Sequence, residues 1–334
     1  MPRAWLLPDY QGHQSLELRE VPFEQPGRGE VRLKVEAFAL NWGDMDLMWD
    51  RYSFSFPSMP ARVGIEAAGI VDAVGEGVTD IKVGDRVGTL PYFYYNRGAS
   101  TESLVIDQRY VTKTPSNLTP AEATSIWMQY MTAYFPLDYV RKVGAGSTVL
   151  VTAGTSTAGA ASLQIGRILG ATMIGTTRFE KNADYLRQMG ADHVIIDTPE
   201  TDIAAEIKRV TGGRGIDLAF DPVGASMIPR YTKALARDAW IFFYGTLDEK
   251  FPAALPLIDM FQKNAVFHPY SLFNYVENAD ACAQGKAFVY DMLEQGRLKP
   301  SVDRVYPMEE IKQAFDYLSK PRDKHGKVVI ATGL

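Results

Sequence analysis

The sequence predicts an α/β protein of two parts, a β-rich, barrel-like amino-terminal domain and a doubly wound parallel-sheet domain, followed by a mixed tail. Three observations carry this. Residues 1 to about 120 hold short β-like runs between Gly and Pro turns. From about 121, continuous apolar strands alternate with helical patterns. The first of those strands ends in a glycine-containing turn, VTAGTSTAGAA at 151–161, that opens a helix. With 334 residues, each part can bury its own core.

The elements follow in order. The start, MPRAWLLPDYQGHQ, has too short an apolar stretch for a secretory signal and reads as a first strand. EVRLKVEAFAL (30–40) alternates and follows the turn QPGRG. AAGIVDAVGEGVTDIKVGDRVG (67–88) gives strand, Gly-rich turn, short strand, Gly-Asp turn and strand, and STESLVIDQRYVTKTP adds one or two more. Thr119 is placed to cap a helix, with Pro120 at its first position and Glu122 close behind. STVLVTA then leads to a helix at 157–169, TMIGTT to one at 180–189, and HVIID to one at 202–211, where Ile203, Ile207 and Val210 share a face. IDLAFD, a helix near 226–236 and WIFFYG complete five βα-type units. The tail from about 266 mixes VFHPY, a long helix around 275–295, a helix in MEEIKQAFDYLSK and a last strand, GKVVIATG. Periodicity alone does not say which domain the tail joins.

Composition narrows the function classes. The net charge of −5 (35 basic, 40 acidic residues) argues against a nucleic-acid surface. No apolar run approaches the roughly 20 residues that span a bilayer. The single cysteine, Cys282, excludes an internal disulfide and a multi-cysteine zinc site, and reads as a buried structural thiol of a cytoplasmic protein.

The turn at 154–159 departs from the dinucleotide fingerprint G-x-G-x-x-G. It reads Gly154, Thr155, Ser156, Thr157, Ala158, Gly159, with serine at the middle glycine. The apolar strand before it, the small residues opening the helix after it, and the distance to the next strand end all favour a pyrophosphate-binding turn. Ser156 and Thr157 can add hydroxyl donors. A purely structural turn is one alternative. Ser156 as a nucleophile is another, but the G-x-S-x-G string would need glycine at Ala158, and His193, His268 and His325 keep a triad open only by count. At the end of the next strand GTTRFEKN supplies Thr177, Arg178 and Lys181, with no acid before Glu180. A 2′-phosphate wants such a charge, which favours NADPH over NADH. The competing view makes Arg178 a solvated helix-start charge.

Several motifs fall in one order: NWGDMDLMWDRY (41–52), GIEAAGIVDAVGEGVTDIKVGDRV (64–87), QYMTAY (129–134), the Gly154–Gly159 turn, FDPVG (220–224) and GKVVI (326–330). The chain resembles the medium-chain dehydrogenase/reductase superfamily along nearly its whole length, and within it the zinc-free quinone oxidoreductase branch. The resemblance implies a GroES-like catalytic domain over 1–122, a Rossmann domain over 123–265 and a return to the catalytic domain over 266–334. It also implies a cleft for nicotinamide and substrate and, commonly, a homodimer.

Zinc-bearing relatives carry ligands where this sequence has Asn41, Ile65 and Met128, so the resemblance implies no metal site. Without a Lewis acid the easier chemistry is hydride delivery to an electron-poor acceptor, a quinone or the β-carbon of an enone. Catalytic candidates carried by the resemblance are Asn41, to orient the cofactor amide or a substrate carbonyl, Tyr52, to donate a proton or hydrogen bond, and Asp44, to order the loop. Tyr52 can equally be one more packed aromatic, and Glu66 is read as a supporting carboxylate. Implied cofactor contacts are Asn41, Thr132, Gly154, Thr155, Ser156, Thr157, Ala158, Thr177, Arg178, Lys181, Val223, Gly245 and Phe273, the last on a loop over the nicotinamide. Asp197 stands where quinone reductases often have tyrosine, and an acid there opposes a 2′-phosphate. A 2-enoyl thioester reductase and a non-catalytic NADPH-binding protein remain as alternatives. Trp42, Trp49, Phe54, Tyr92 to Tyr95 and Phe273 are the aromatic candidates for the substrate pocket.

Overall fold

In a computed structural model, which describes residues 1–52, 54–93, 97–248 and 254–333, the run EVRLKVEAFAL forms the strand Glu30–Leu40. Tyr94 and Tyr95 lie outside the described residues. Glu30–Leu40 is the spine of an antiparallel arrangement. Ala67–Val74 pairs along one edge, while the other edge takes Ser103–Asp107 over its first half and Lys327–Ala331 over its second. Arg86–Thr89 and Val111–Lys113 extend the sheet one way, and Val302–Pro307 adds in parallel at the other end. Arg3–Leu7 is a strand, as the amino-terminal sequence suggests, and pairs with Glu17–Glu20 and Ala61–Arg62. These strands belong to one compact unit, Met1–Met128 with Lys299–Leu334.

The second unit, Gln129–Leu298, is built on a parallel sheet. Its strand order is His193–Ile196, Thr172–Thr177, Thr148–Val151, Ile216–Asp221, Leu235–Phe243, Val266–Pro269. The chain order therefore reverses between Thr148–Val151 and Ile216–Asp221, the point at which doubly wound sheets open a crevice at the carboxyl ends of their strands. Leu150, Ile174, Ile195, Ala219 and Ile241 from five of these strands meet Ile203, Ile207, Ile228 and Tyr231 in one core. The helix at Ile203–Val210 buries Ile203 and Ile207 of the stripe its spacing predicts, with Val210 half-buried against the same core.

The boundaries differ from the expected 122/123 and 265/266. VFHP is the sixth parallel strand, and the helix Ala279–Glu294 stays with the second unit, so the return to the first falls at Lys299. Three helices also differ from their expected spans. The one expected near 226–236 is Ile228–Tyr231, because Leu235 already pairs with Ile216 as a strand. The one expected around 275–295 is two, Leu272–Val276 and Ala279–Glu294, since the Asn278 side chain accepts from Ala281 N (3.0 Å) and starts a new helix. The helix expected at 180–189 runs Ala183–Met189, because Asn182 Nδ2 donates to Thr177 Oγ1 (3.1 Å) and holds Glu180–Asn182 as a tight turn. Thr119 and Glu122 form the expected capping box. Cys282 is buried and burial pushes its thiol pKa up, so it is an inert core thiol. Among the described residues no helix is long and apolar enough to cross a membrane.

Candidate functional site

In the second unit, Thr148–Val151 ends in the turn 154–159 and feeds the helix Thr157–Leu169. Gly154 N donates to Thr176 O (2.9 Å), which anchors the turn to the neighbouring strand. Ser156 is the helix N-cap: its Oγ accepts from Gly159 N (3.1 Å). The hydroxyl hydrogen of Ser156 is thereby left to donate, and Tyr244 is the side chain it meets. Gly159 cannot be replaced without strain, because a Cβ there would stand 2.7 Å from Ala153 O and 2.9 Å from Ser156 Oγ. The middle position of the fingerprint has become a cap, while the outer glycines keep the close approach. Among the described residues no histidine bonds Ser156; His268 lies against Trp240, Phe242 and Tyr270. A serine triad has no support here.

Across the reversal point, Asp221 ends the fourth strand and is fully buried. Its carboxylate accepts from Thr152 Oγ1 (2.7 Å), Tyr231 OH (2.9 Å), Val223 N (2.7 Å) and Gly224 N (3.2 Å). Burial pushes its pKa up, and these donors oppose that. The acid ties Val223 to the end of the first strand through Thr152. Gly245 stands against the same loop: a Cβ there would come within 3.0 Å of Pro222 Cβ. Its demand for glycine is thus already explained by packing of two strand-end loops.

At the end of Thr172–Thr177 the expected basic group appears on the surface. Arg178 and Lys181 are exposed, each 5.8 Å from the Phe179 ring centroid. Thr177, by contrast, is buried with its hydroxyl accepting from Asn182. Asp197 pairs with Arg230, whose Nη2 also donates to Thr198 O (2.7 Å) and Thr201 O (2.9 Å). The acid that opposed a phosphate is therefore neutralised by a guanidinium fixed at three points.

In the first unit, buried Asp44, Glu66 and Lys327 form one polar cluster with half-buried Asn41. Asn41 precedes the helix Trp42–Met48, and its backbone N donates to Asp44 Oδ2 (2.8 Å). Lys327 Nζ donates to Glu66 Oε2 (2.8 Å) and to Asn41 Oδ1. Glu66 Oε1 accepts from Met128 N (3.0 Å). Lys327 and Glu66 are 2% and 1% exposed at the side chain, a fully desolvated ion pair. Among the described residues Asn41 Nδ2 and Asp44 Oδ1 are buried with no hydrogen bond of ordinary length, and the Asn41 amide faces the Asp44 carboxyl. Burial, with the Glu66 charge, pushes the Asp44 carboxyl up to about 7, against the Asn41 N–H, the Lys327 charge and the Asn41 side chain. Tyr52 stands over the first helical turn, where a Cβ on Gly43 would lie 3.4 Å from its ring, and it packs with Phe54 and Phe93. Burial, then Asp44 and Asp46, push its phenol up to about 12.

Thr132 lies buried in the helix Trp127–Tyr134. Phe273 is not on a loop: Leu272, Phe273 and Val276 are the buried face of a short helix, Leu272–Val276. Lys327 and Arg230 were missed by sequence reasoning. A lysine heading the continuous apolar run KVVI is a detectable signal, since a strand buried at all four positions must pair that charge. Arg230 gave none, being an ordinary cation 33 residues from Asp197.

A parallel-sheet unit with a capped dinucleotide turn, joined in one chain to a GroES-like sheet unit with a buried polar cluster, defines a two-unit dehydrogenase/reductase. Comparison with known proteins agrees. Residues 27–116 match the alcohol dehydrogenase GroES-like domain and residues 189–330 the zinc-binding dehydrogenase family model. The chain belongs to the medium-chain dehydrogenase/reductase superfamily, in its quinone oxidoreductase-like branch. A 2-haloacrylate reductase from a Burkholderia species is 29% identical over 320 residues, 93% of each chain. The synaptic vesicle membrane protein VAT-1 homolog of Rattus norvegicus is 30% identical over 363 residues, 99% of this chain and 84% of that one. A mycobacterial protein solved in complex with NADPH superposes with a TM-score of 0.89 at 28% identity, covering 99% of this chain and 100% of that one. The chain also matches a mycocerosic acid synthase-like polyketide synthase of Mycobacterium tuberculosis at 30% identity, but spans only 15% of its length.

Proposed function

We propose that the protein is a zinc-independent, NADPH-dependent reductase that delivers hydride to a quinone or to the β-carbon of an α,β-unsaturated carbonyl. The observation that carries this reading is the charge arrangement at 177–197. Arg178 pairs with no carboxylate among the described residues, and Asp197 is held by Arg230. A dianionic 2′-phosphate suits that surface, whereas a ribose 2′-hydroxyl would want an acid there. The turn fits the diphosphate on its own geometry, with the first-turn amides of the helix Thr157–Leu169, the Ser156 hydroxyl and the close approach that Gly159 permits.

The reduced nicotinamide supplies the hydride when it is bound. The chain's own residues would hold the coenzyme through the 154–159 turn and Arg178, and would offer hydrogen bonds to the oxygen that gains charge. Asn41 Nδ2, which makes no hydrogen bond of ordinary length among the described residues and faces the Asp44 carboxyl, is the donor for that purpose. Tyr52, with its phenol pushed up to about 12, stays protonated at neutral pH and can donate. Asp44 would order the start of the helix. The residues at the zinc-ligand places do not suit Zn²⁺. Asn41 already accepts from an ammonium, Ile65 has no donor atom and Met128 offers a thioether. The 29% identical 2-haloacrylate reductase supports an activated alkene as acceptor.

NADPH oxidation over a quinone, an aliphatic enone and an enoyl thioester tests the reading, and turnover of the first or second is expected. Turnover of none transfers support to a non-catalytic NADPH-binding role. Arg178→Ala should raise the KM for NADPH about 10- to 100-fold, the range of a lost charge-assisted contact, and that for NADH less than about twofold. Equal effects on the two coenzymes would remove the assignment.

We also propose a cytoplasmic homodimer. Leu257, Ile258 and Phe261 are 66%, 73% and 87% exposed on the helix Leu257–Gln262, just before the edge strand Val266–Pro269. An open strand edge beside bare apolar side chains suits self-association. Light scattering should give twice the chain mass, and Phe261→Asp should shift it to the monomer.

A further inference from the structure

Resting on the reductase reading, we infer that Lys327 is a positioning residue that fixes the Asn41 amide with its NH₂ as the donor. Which end of an asparagine amide is oxygen follows from its partner. The Lys327 ammonium has three donors and no acceptor, so the Asn41 atom facing it must be Oδ1. The backbone N–H and C=O of Asn41 are both engaged by Asp44, at 2.8 and 3.1 Å, so the main chain cannot turn to present the other edge. Nδ2 is then the one polar atom of Asn41 without a hydrogen bond of ordinary length among the described residues, and the Asp44 carboxyl is the group it faces. A donor locked in this way serves a carbonyl becoming an oxyanion or enolate; the flipped amide would offer an acceptor and repel it.

The sequence supplies the means of holding Lys327 there. Gly326 has φ +135°, and a Cβ on it would stand 2.6 Å from Ser301 O, so only glycine brings the chain round at this point. Lys327 N donates to Ser301 O (2.8 Å) and opens the strand Lys327–Ala331. Glu66 supplies the opposite charge, and is itself fixed by Met128 N. The positive charge thus works through Asn41 and need not touch the substrate.

The test is a cycle of four proteins. They are the wild type, Asn41→Ala, Lys327→Met combined with Glu66→Gln so that no buried charge is stranded, and all three substitutions together. Melting temperature, kcat and the KM for NADPH are measured on each. Asn41→Ala should lower kcat about 100-fold, as loss of an oxyanion donor does. The Lys327/Glu66 pair substitution should lower kcat about tenfold with the NADPH KM within twofold, because the amide is then free to flip. Added to Asn41→Ala, the pair substitution should cost nothing further in kcat, and its melting penalty should shrink. A further tenfold loss of kcat on the Asn41→Ala background overturns the inference, since a lysine with an independent role gives additive losses. If the wild type reduces no acceptor, the reductase reading falls. The melting cycle then still decides whether Asn41 and Lys327 are paired, and additive penalties there also overturn the inference.

Discussion

Lys327→Met alone is expected to destabilise the protein by about 3–5 kcal/mol, the range for removing one partner of a buried ion pair. The cause is Glu66, not the lost attraction. Its carboxylate is 1% exposed, and without the ammonium at 2.8 Å only Met128 N–H, among the described residues, would remain to solvate its charge. Adding Glu66→Gln should recover most of the loss, because a neutral amide still accepts from Met128 and no charge is stranded. Thermal unfolding followed by circular dichroism should place the single variant roughly 10 °C below the wild type, with the double variant only a few degrees below it. A single variant that melts with the wild type would mean that Glu66 is not desolvated as described. Because the pair joins the strand Lys327–Ala331 to the loop before Ala67–Val74, the same measurement reports how the tail is fastened into the first unit.

What could be read from the sequence was set by local signals. The strand–turn–helix at 148–169 was legible because an apolar strand, a cap and two close-approach glycines lie within 22 residues, each using physics that acts over a turn or less. The sixth strand was assigned to the wrong unit for the opposite reason. VFHP is short and half exposed, and its place follows from pairing with Leu235–Phe243, which no local pattern states. In the site, Asn41 and Asp44 were legible as an N-x-x-D string, whose spacing puts the carboxylate on the Asn41 N–H. Lys327 was not, since its partners are 286 and 261 residues away. The objection raised by Asp197 was sound electrostatics applied to an incomplete set of charges; Arg230 completes it. Long-range ion pairs are where reading one chain stops short, because their sequence signal is only that a charge is present.

Asp44→Asn should make the protein less sensitive to pH and more stable above neutrality. The Asp44 carboxyl, ordinarily near 4, is pushed up to about 7, chiefly by burial. Between those values the folded chain holds a proton that the unfolded chain has released, so stability falls as pH rises from roughly 4 to 7 and then levels off. Asparagine does not titrate, and its oxygen can keep the bond from Asn41 N. The variant and wild type should therefore differ little near pH 4.5, and by pH 8 the variant should lead by up to about 4 kcal/mol. Urea unfolding at the two pH values checks this; a pH-independent difference would mean that Asp44 is ionised throughout. The same variant tests whether the proton on the Asp44 carboxyl takes part in turnover. If that proton is used, kcat of the Asp44→Asn variant should lose whatever dependence on pH the wild type shows between 6 and 8, while the KM for NADPH stays unchanged.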